Sequence, residues 1–204
     1  DGFSKDKVTD MVQLLMKDGI VPDCSGWEVV FDSADVKIAN VEVYKDLVKT
    51  ISDNEVFLQN MDRCLCYPRE YFKDNADRYE DRGITDRDAI DTFVWIAVAD
   101  EMLESGIATE LDWKEEKDEF LSSIEELANE NNLVVDDSML DDEGDIPSWC
   151  KELDDRWMKD RYCIAGIDID SDSYVLFICK TDSLRKLTEL AKSINHRIDF
   201  AKNM

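Results

Sequence analysis

Carboxylates on either side of a tryptophan form the cluster in this sequence that most directly suggests a binding or catalytic site. Glu110, Asp112 and Glu115 lie close to Trp113 in the chain. An aromatic ring among carboxylates is common in sugar sites and at protein interfaces, where aromatic side chains carry much of the binding energy. Carboxylate pairs also catalyse hydrolysis, but a chain with 49 acidic residues offers too many pairs for one to be informative. The cluster predicts a partner-binding surface, a hydrolytic or metal-dependent acidic cleft, or simply an edge strand with a charged rim.

A second acidic group lies in residues 136–145, which hold six acids and no base. This composition is typical of an exposed loop. The candidate partner-binding residues in and after it are Asp141, Asp142, Glu143, Asp145 and Trp149. If the two acidic groups share one face, they would attract a basic partner, and an exposed Trp113 or Trp149 would supply an apolar anchor. The alternative is that the acids only keep the surface soluble.

Three alternating aspartates, Asp168, Asp170 and Asp172, are the candidate ligands for a hard cation. A calcium loop of the EF-hand type that opened at Asp168 would need glycine where Ser173 stands and glutamate where Cys179 stands. The pattern therefore fails at two positions. A solvated turn is the interpretation that we favour over a metal site.

Nucleophilic catalysis and bound cofactors find little support in the sequence. A Ser or Cys nucleophile needs a neighbouring base, and the only histidine, His196, lies between a helix and the last strand, where a surface or capping role is more common. Cys64 and Cys66 lack a second pair of ligands at zinc spacing. The chain contains neither GxxxxGK nor GxGxxG, so we predict no cofactor.

The net charge of −25 bounds the choice of partner. It is concentrated in residues 1–160, which carry −26, whereas the remainder carries +1. An acidic surface repels phosphate backbones and anionic lipid, so we expect no nucleic-acid or membrane partner. No apolar run approaches the roughly 20 residues that span a bilayer. We expect a soluble cytoplasmic protein with reduced thiols, although a removed signal peptide would not be visible in a chain that opens without Met.

The predicted strands and helices that carry these residues are organised around a hairpin at residues 162–180. Two runs rich in β-formers flank a turn at 170–172, which predicts a hairpin with Cys163 opposite Cys179 and with Ile167 and Val175 on its buried face. Other alternating or terminal segments complete a small, mainly antiparallel sheet. The predicted strands are 108–113, 162–169, 173–180 and 197–200.

Amphipathic helices are predicted to cover this sheet, which makes the fold class α+β. The strongest apolar periodicity runs from Ile90 to Met102, so this helix should be central, with Val94 and Val98 almost fully buried. Residues 69–82 are highly charged and predict a mostly exposed helix. We expect a single domain over 1–204, with a helix-rich N-terminal lobe at 1–83 and a sheet-containing part at 84–204.

Two segments, ELDWKEE at 110–116 and GIDIDSDSYVLFIC at 166–179, together with the Leu-rich helix that follows, resemble an uncharacterised bacterial family of unknown function. The resemblance covers roughly residues 90–200. Such families often occur near toxin–immunity loci, which implies a small acidic binding protein and supplies no catalytic residues. The sequence thus favours a non-enzymatic, immunity-like protein that engages a basic protein partner. The alternative is a hydrolase or metal-dependent enzyme with its cleft near Trp113.

Overall fold

A central antiparallel sheet with helices on both faces organises residues 38–204, the part of the chain that this computed structural model describes. The helices are α1 Val41–Ile51, α2 Glu55–Cys66, α3 Pro68–Asp74, α4 Ala76–Asp81, α5 Ile90–Glu104, α6 Lys117–Glu130, α7 Ile146–Trp157 and α8 Thr181–Ser193. The strands are β1 Ala108–Asp112, β2 Tyr162–Ile167, β3 Ser173–Lys180 and β4 Ile198–Phe200. The α+β prediction is confirmed. The apolar spacing of Val8, Met11, Val12 and Leu15 also predicts a helix over 4–18, and WEVVF predicts a short strand at 27–31, but both segments lie outside the described residues.

The sheet order is β1-β3-β2-β4, and every neighbouring pair is antiparallel. Cys163 lies opposite Cys179 in the β2–β3 pair, as the hairpin turn predicts. Both are free thiols in the interior. Ile167 and Val175, also opposite each other, are buried. The predicted hairpin register is therefore confirmed.

Alternate side chains of the strands enter two separate cores. One face of the sheet packs against α1, α2, α5 and α8, and Val175 and Phe177 of β3 contribute to that core. The other face packs against α6 and α7, and Ile164 and Leu176 belong to it. Because both faces are covered, the central strands lack the polar positions of a half-exposed sheet. Residues 38–204 form one compact unit, and a single domain over the whole chain stays a prediction.

Helix α5 is buried around most of its circumference, as its wide apolar stripe predicts. Val94 and Val98 both have an exposure of 0%. No helix within residues 38–204 is both long enough and apolar enough to cross a membrane. The length of α5 is 15 residues.

Segment 69–82 is less exposed than its charge predicts. It forms two short helices, α3 and α4, and both Tyr71 and Tyr79 are buried. Their rings fill the core beside α5, while their hydroxyl groups find acceptors there. The Tyr79 hydroxyl donates to the carbonyl oxygen of Phe93 at 2.9 Å. Aromatic rings every few positions, rather than the many charges, decided how this segment packs.

A buried carboxylate on α5 ties three preceding helices together. Glu101, only 2% exposed, accepts hydrogen bonds from Tyr71 Oη, from Asn60 Nδ2 at 2.6 Å and from Arg78 Nη1 at 3.0 Å. A buried carboxylate is tolerated when it is paired and hydrogen-bonded in this way. The donors come from α2, α3 and α4, so one side chain fixes the positions of all three helices relative to α5.

A second ionic cluster joins the segment after α4 to α5 and β1. Arg82 donates from Nε to Asp100 Oδ1 at 2.9 Å, and its two terminal nitrogens contact the two carboxylate oxygens of Glu110 at 3.2 and 2.8 Å. Burial raises the pKa of Asp100 despite the guanidinium beside it. For Glu110, burial acts in the same direction, but the bonds from Arg82 and Ser173 outweigh it and lower the pKa.

We expect Val98→Ala to lower the free energy of unfolding by about 1–2.5 kcal/mol, because it removes apolar volume from a fully packed site. Urea denaturation monitored by circular dichroism measures the change. Val56→Ala is the matched control, since it makes the same change on α2 at a position that is 62% exposed. Equal midpoints for Val98→Ala and the wild type would place α5 outside the core.

We expect Glu110→Gln to destabilise the protein by about 1 kcal/mol at neutral pH, because it removes a charge-assisted pair that is only partly buried. The folded-state pKa of Glu110 is lowered, so the pair adds stability above the unfolded pKa and loses it as the pH falls through the folded value. The difference between variant and wild type should therefore shrink below about pH 4.

Urea titrations at neutral and acidic pH test this dependence, with Glu126→Gln as control. Glu126 is exposed on α6 and forms no ion pair within residues 38–204. A destabilisation by Glu110→Gln that is the same at both pH values would contradict the assignment of the lowered pKa.

Candidate functional site

Trp113 lies at the junction between the end of β1 and the β2–β3 turn. Pairing of β1 with β3 sets Asp112 opposite Ser173, and the Trp113 backbone N–H donates to the carbonyl oxygen of Asp172 at 3.2 Å. The indole itself is 54% exposed. The sequence presents the cluster around Trp113 and the aspartates of the hairpin as two separate candidates. In the structure both lie at the same end of the sheet.

A cavity of about 310 Å³ opens beside Trp113, and we name it the hairpin cavity. The side chains that define it include Trp113, Tyr174, Asp168, Asp172, Arg197 and Met204. Its floor is the β2 backbone at Gly166, where a Cβ atom would lie 2.9 Å from Met204 Cγ. Glycine at this position therefore lets Met204 lie directly on the strand.

A second cavity, of about 480 Å³, lies between the start of α6 and the acidic loop; we name it the loop cavity. Its carboxylates include Glu115, Asp142 and Glu143. Lys117 holds the loop in place, because its Nζ contacts Asp142 Oδ1 at 2.6 Å and the carbonyl oxygen of Leu140 at 2.8 Å. The bond from Lys117 lowers the pKa of Asp142. Residues of the two predicted acidic groups thus do line one cavity.

The remaining loop candidates serve local structure. Asp145 caps α7 by accepting from the Ser148 N–H at 2.9 Å, and the Ser148 hydrogen bonds lower its pKa. The carboxylate of Asp141 accepts from the Glu143 N–H at 3.1 Å, and its carbonyl oxygen accepts from Trp149 Nε1 at 2.8 Å.

Trp149 does not meet the expectation of an exposed anchor. The side chain is 2% exposed and packs in the core between α6 and α7. Its position four residues before Leu153 on an amphipathic helix explains the burial, because that spacing places both on the inward face. Trp113 is the tryptophan of the two that remains at the surface.

Glu110 is also unavailable as a free acid, because its carboxylate binds Arg82. Trp113 and five acids that flank it in the chain or line one of the two cavities form a set that we name the acidic face; the acids are Asp112, Glu115, Glu143, Asp168 and Asp172. Within residues 38–204 none of its carboxylates forms an ion pair. The face therefore carries an excess of negative charge around a half-exposed indole, offset in part by Lys114, whose Nζ lies 4.5 Å from the centre of the ring.

The candidate metal ligands take part in the hairpin turn. Asp168 Oδ1 accepts from the Asp170 N–H at 3.0 Å, and Asp170 has a φ of 59°. Aspartate tolerates this left-handed conformation better than most residues. In the described part of the chain no group of three or more His, Cys, Asp or Glu side chains is arranged to hold a metal ion.

His196 has a more elaborate environment than its sequence position indicates. Its Nε2 lies 2.8 Å from Asp91 Oδ2, and Asp91 Oδ1 accepts from the Tyr44 hydroxyl at 2.8 Å. The imidazole stacks on the Trp95 indole with 4.1 Å between ring centres. Because Asp91 is 105 residues away in the chain, no local signal could have revealed this contact.

The imidazole lines a third cavity, of about 440 Å³, on the α5 side of the β2–β4 end. Asp168 and Arg197 line both this cavity and the hairpin cavity. Trp95 Nε1 donates to the carbonyl oxygen of Asp168 at 2.7 Å, and this bond fixes the backbone between the two cavities. A carboxylate that orients an imidazole is an element of acid–base sites, but it is also a common way to satisfy a half-buried histidine.

Comparison with known proteins places these features in a family context. Neither the curated proteins nor the solved structures contain a significant match to this chain. One family model does match, and its region spans residues 43–201, from α1 to the end of the sheet. It includes Trp113, both acidic groups and His196. The chain belongs to the family described as Domain of unknown function (DUF6630).

Proposed function

We propose that this protein is a non-enzymatic acidic binding protein that engages a basic protein partner through the acidic face. Trp113 is the apolar anchor in this proposal. Asp112, Glu115 and Glu143, together with the aspartates of the hairpin, supply the negative field around it. Three further acids have structural roles near this face. Glu110 binds Arg82, and Asp141 and Asp145 accept hydrogen bonds that shape the acidic loop.

The exposure of Trp113 is the observation that carries the proposal. The indole is 54% exposed, whereas Trp95, Trp149 and Trp157 are all buried. Binding energy at interfaces concentrates in a few aromatic side chains that become desolvated on association. An indole that lines a cavity and has carboxylates as neighbours has the composition of such a position, with its polar rim already in place.

The charge of the chain supports a basic rather than a neutral partner. A net charge of −25 repels other acidic proteins and attracts basic ones over about a Debye length. Complementary charge raises the association rate more than it raises the lifetime of a complex. The acids of the face should therefore govern encounter, and Trp113 should govern dissociation.

The proposal includes a biological setting. We infer an immunity-like role in a bacterial cytoplasm, in which the acidic face neutralises or tethers a basic protein. The family's unknown function leaves this role open, and the resemblance of the 110–116 and 166–179 segments supports it. A gene for a small basic protein beside the gene for this chain would identify the first partner to try.

We expect the wild-type protein to capture one basic partner that the Trp113→Ala variant does not capture. Immobilised protein would be exposed to a lysate of the source organism at low salt, and bound proteins would be identified by mass spectrometry. For the partner found, Trp113→Ala should raise the dissociation rate about tenfold or more. Neutralising Asp112, Glu115 and Glu143 to their amides should instead lower the association rate about tenfold and flatten its salt dependence.

The matched control neutralises Glu125, Glu126 and Glu189, which are exposed acids without ion pairs in the described range and outside both cavities. It makes the same change in net charge and should leave most of the association rate intact. Equal losses in the two triple variants would show that only overall charge matters. Turnover of a substrate panel with divalent metals, lost in Trp113→Ala, would favour the enzyme alternative instead.

A further inference from the structure

We infer that the hairpin cavity is a specificity pocket for one arginine side chain of the basic partner. This inference rests on the proposed function and names the chemistry that the acidic face recognises. A volume of about 310 Å³ lies at the lower end of the range of ligand sites. It therefore suits a single long side chain better than a whole cofactor or an oligosaccharide.

The walls of the cavity offer the surfaces that a guanidinium group and its aliphatic stem need. Trp113 and Tyr174 provide aromatic rings, and Met204 provides apolar contact. A planar guanidinium stacks on an indole more readily than an ammonium does, and tryptophan is the strongest aromatic partner for a cation.

The indole of Trp113 already attracts a cation within the chain. Lys114 Nζ lies 4.5 Å from the centre of its ring. Lys114 lines the loop cavity, whereas Trp113 lines the hairpin cavity. The Trp113 ring thus already contacts one cation and contributes to the wall of the hairpin cavity.

Two carboxylates at the cavity are placed to pair with an incoming guanidinium. Asp172 forms no side-chain ion pair in the described range, and Asp168 uses Oδ1 for the Asp170 N–H, which leaves Oδ2 for a ligand. The hydroxyl groups nearby are less available. Ser173 Oγ donates to Glu110, and Ser171 Oγ lies 2.9 Å from Ser173 Oγ.

The one basic side chain of the cavity, Arg197, is turned toward groups of its own. Its Nη2 donates to the carbonyl oxygen of Asn203 and lies 3.5 Å from Asp199 Oδ2. Asp199 therefore offsets this charge from outside the cavity. With Arg197 compensated in this way, Asp168 and Asp172 set the sign of the site, and it is negative.

The test uses N-acetylarginine amide as the probe and the indole N–H resonance of Trp113 as the readout. Trp113→Phe assigns that resonance in a nitrogen-15 spectrum of the full chain. Titration with the probe should shift the Trp113 resonance in a saturable way and leave those of Trp149 and Trp157, which do not line the hairpin cavity, unchanged. The citrulline analogue has nearly the same shape and no charge, so it should produce no saturable shift.

Asp168→Asn with Asp172→Asn should weaken binding of the arginine probe roughly fivefold or more. Asparagine at 168 keeps the oxygen that accepts from Asp170, so the turn should survive, and an unchanged backbone spectrum would verify this. Glu126→Gln with Glu189→Gln is the control of equal charge. It should bind the probe as the wild type does.

Three results would overturn the inference: binding of the citrulline analogue as tight as that of arginine, tighter binding of N-acetyllysine amide, or no effect of the two asparagine substitutions. Partner capture separates this failure from that of the proposed function. Trp113-dependent capture without arginine binding would reject the pocket and keep the binding role. Arginine binding without such capture would keep the pocket and reject the basic-partner role.

Discussion

The pairing of β3 with β2 on one side and with β1 on the other is the interaction on which the rest of the structure depends. It places β3 inside the sheet, so its side chains point alternately into the two cores, and the strand separates one core from the other. The same pairing determines the site, because the register that sets Asp112 opposite Ser173 also brings Trp113 to the hairpin turn. A shift of one residue would exchange the contents of the two cores.

Local pattern was sufficient to predict much of this architecture. The hairpin register follows from a short turn between two β-rich runs, and the burial of Val94 and Val98 follows from apolar spacing on α5. Both depend on neighbours along the chain. The β1–β3 pairing was different, since Thr109 meets Leu176 across a long stretch of intervening helix. No periodicity encodes such a contact, so the composition of the hairpin cavity could not be predicted.

Charge was the least reliable guide to position. Segment 69–82 is rich in charged residues, yet Tyr71 is buried and two charged residues, Arg78 and Arg82, reach inward to acids on α5. Glu110 resembled a free surface acid until Arg82 was seen to bind both of its oxygens. A formal charge counts a carboxylate whether or not a partner neutralises it. The pairing of an acid with a distant base therefore decides how much of its formal charge remains uncompensated.

The short outer strands of the sheet have a consequence for the behaviour of the protein at high concentration. An open strand edge is a template on which another chain can pair and aggregate. Here β4 has three residues, and β1 has five, among them Glu110 and Asp112. Arg82 neutralises Glu110, but a strand from a second molecule that added to β1 would have to approach the exposed carboxylate of Asp112. The shortness of the outer strands and the charge of Asp112 thus protect the sheet from ordered self-association, whatever partner the protein binds.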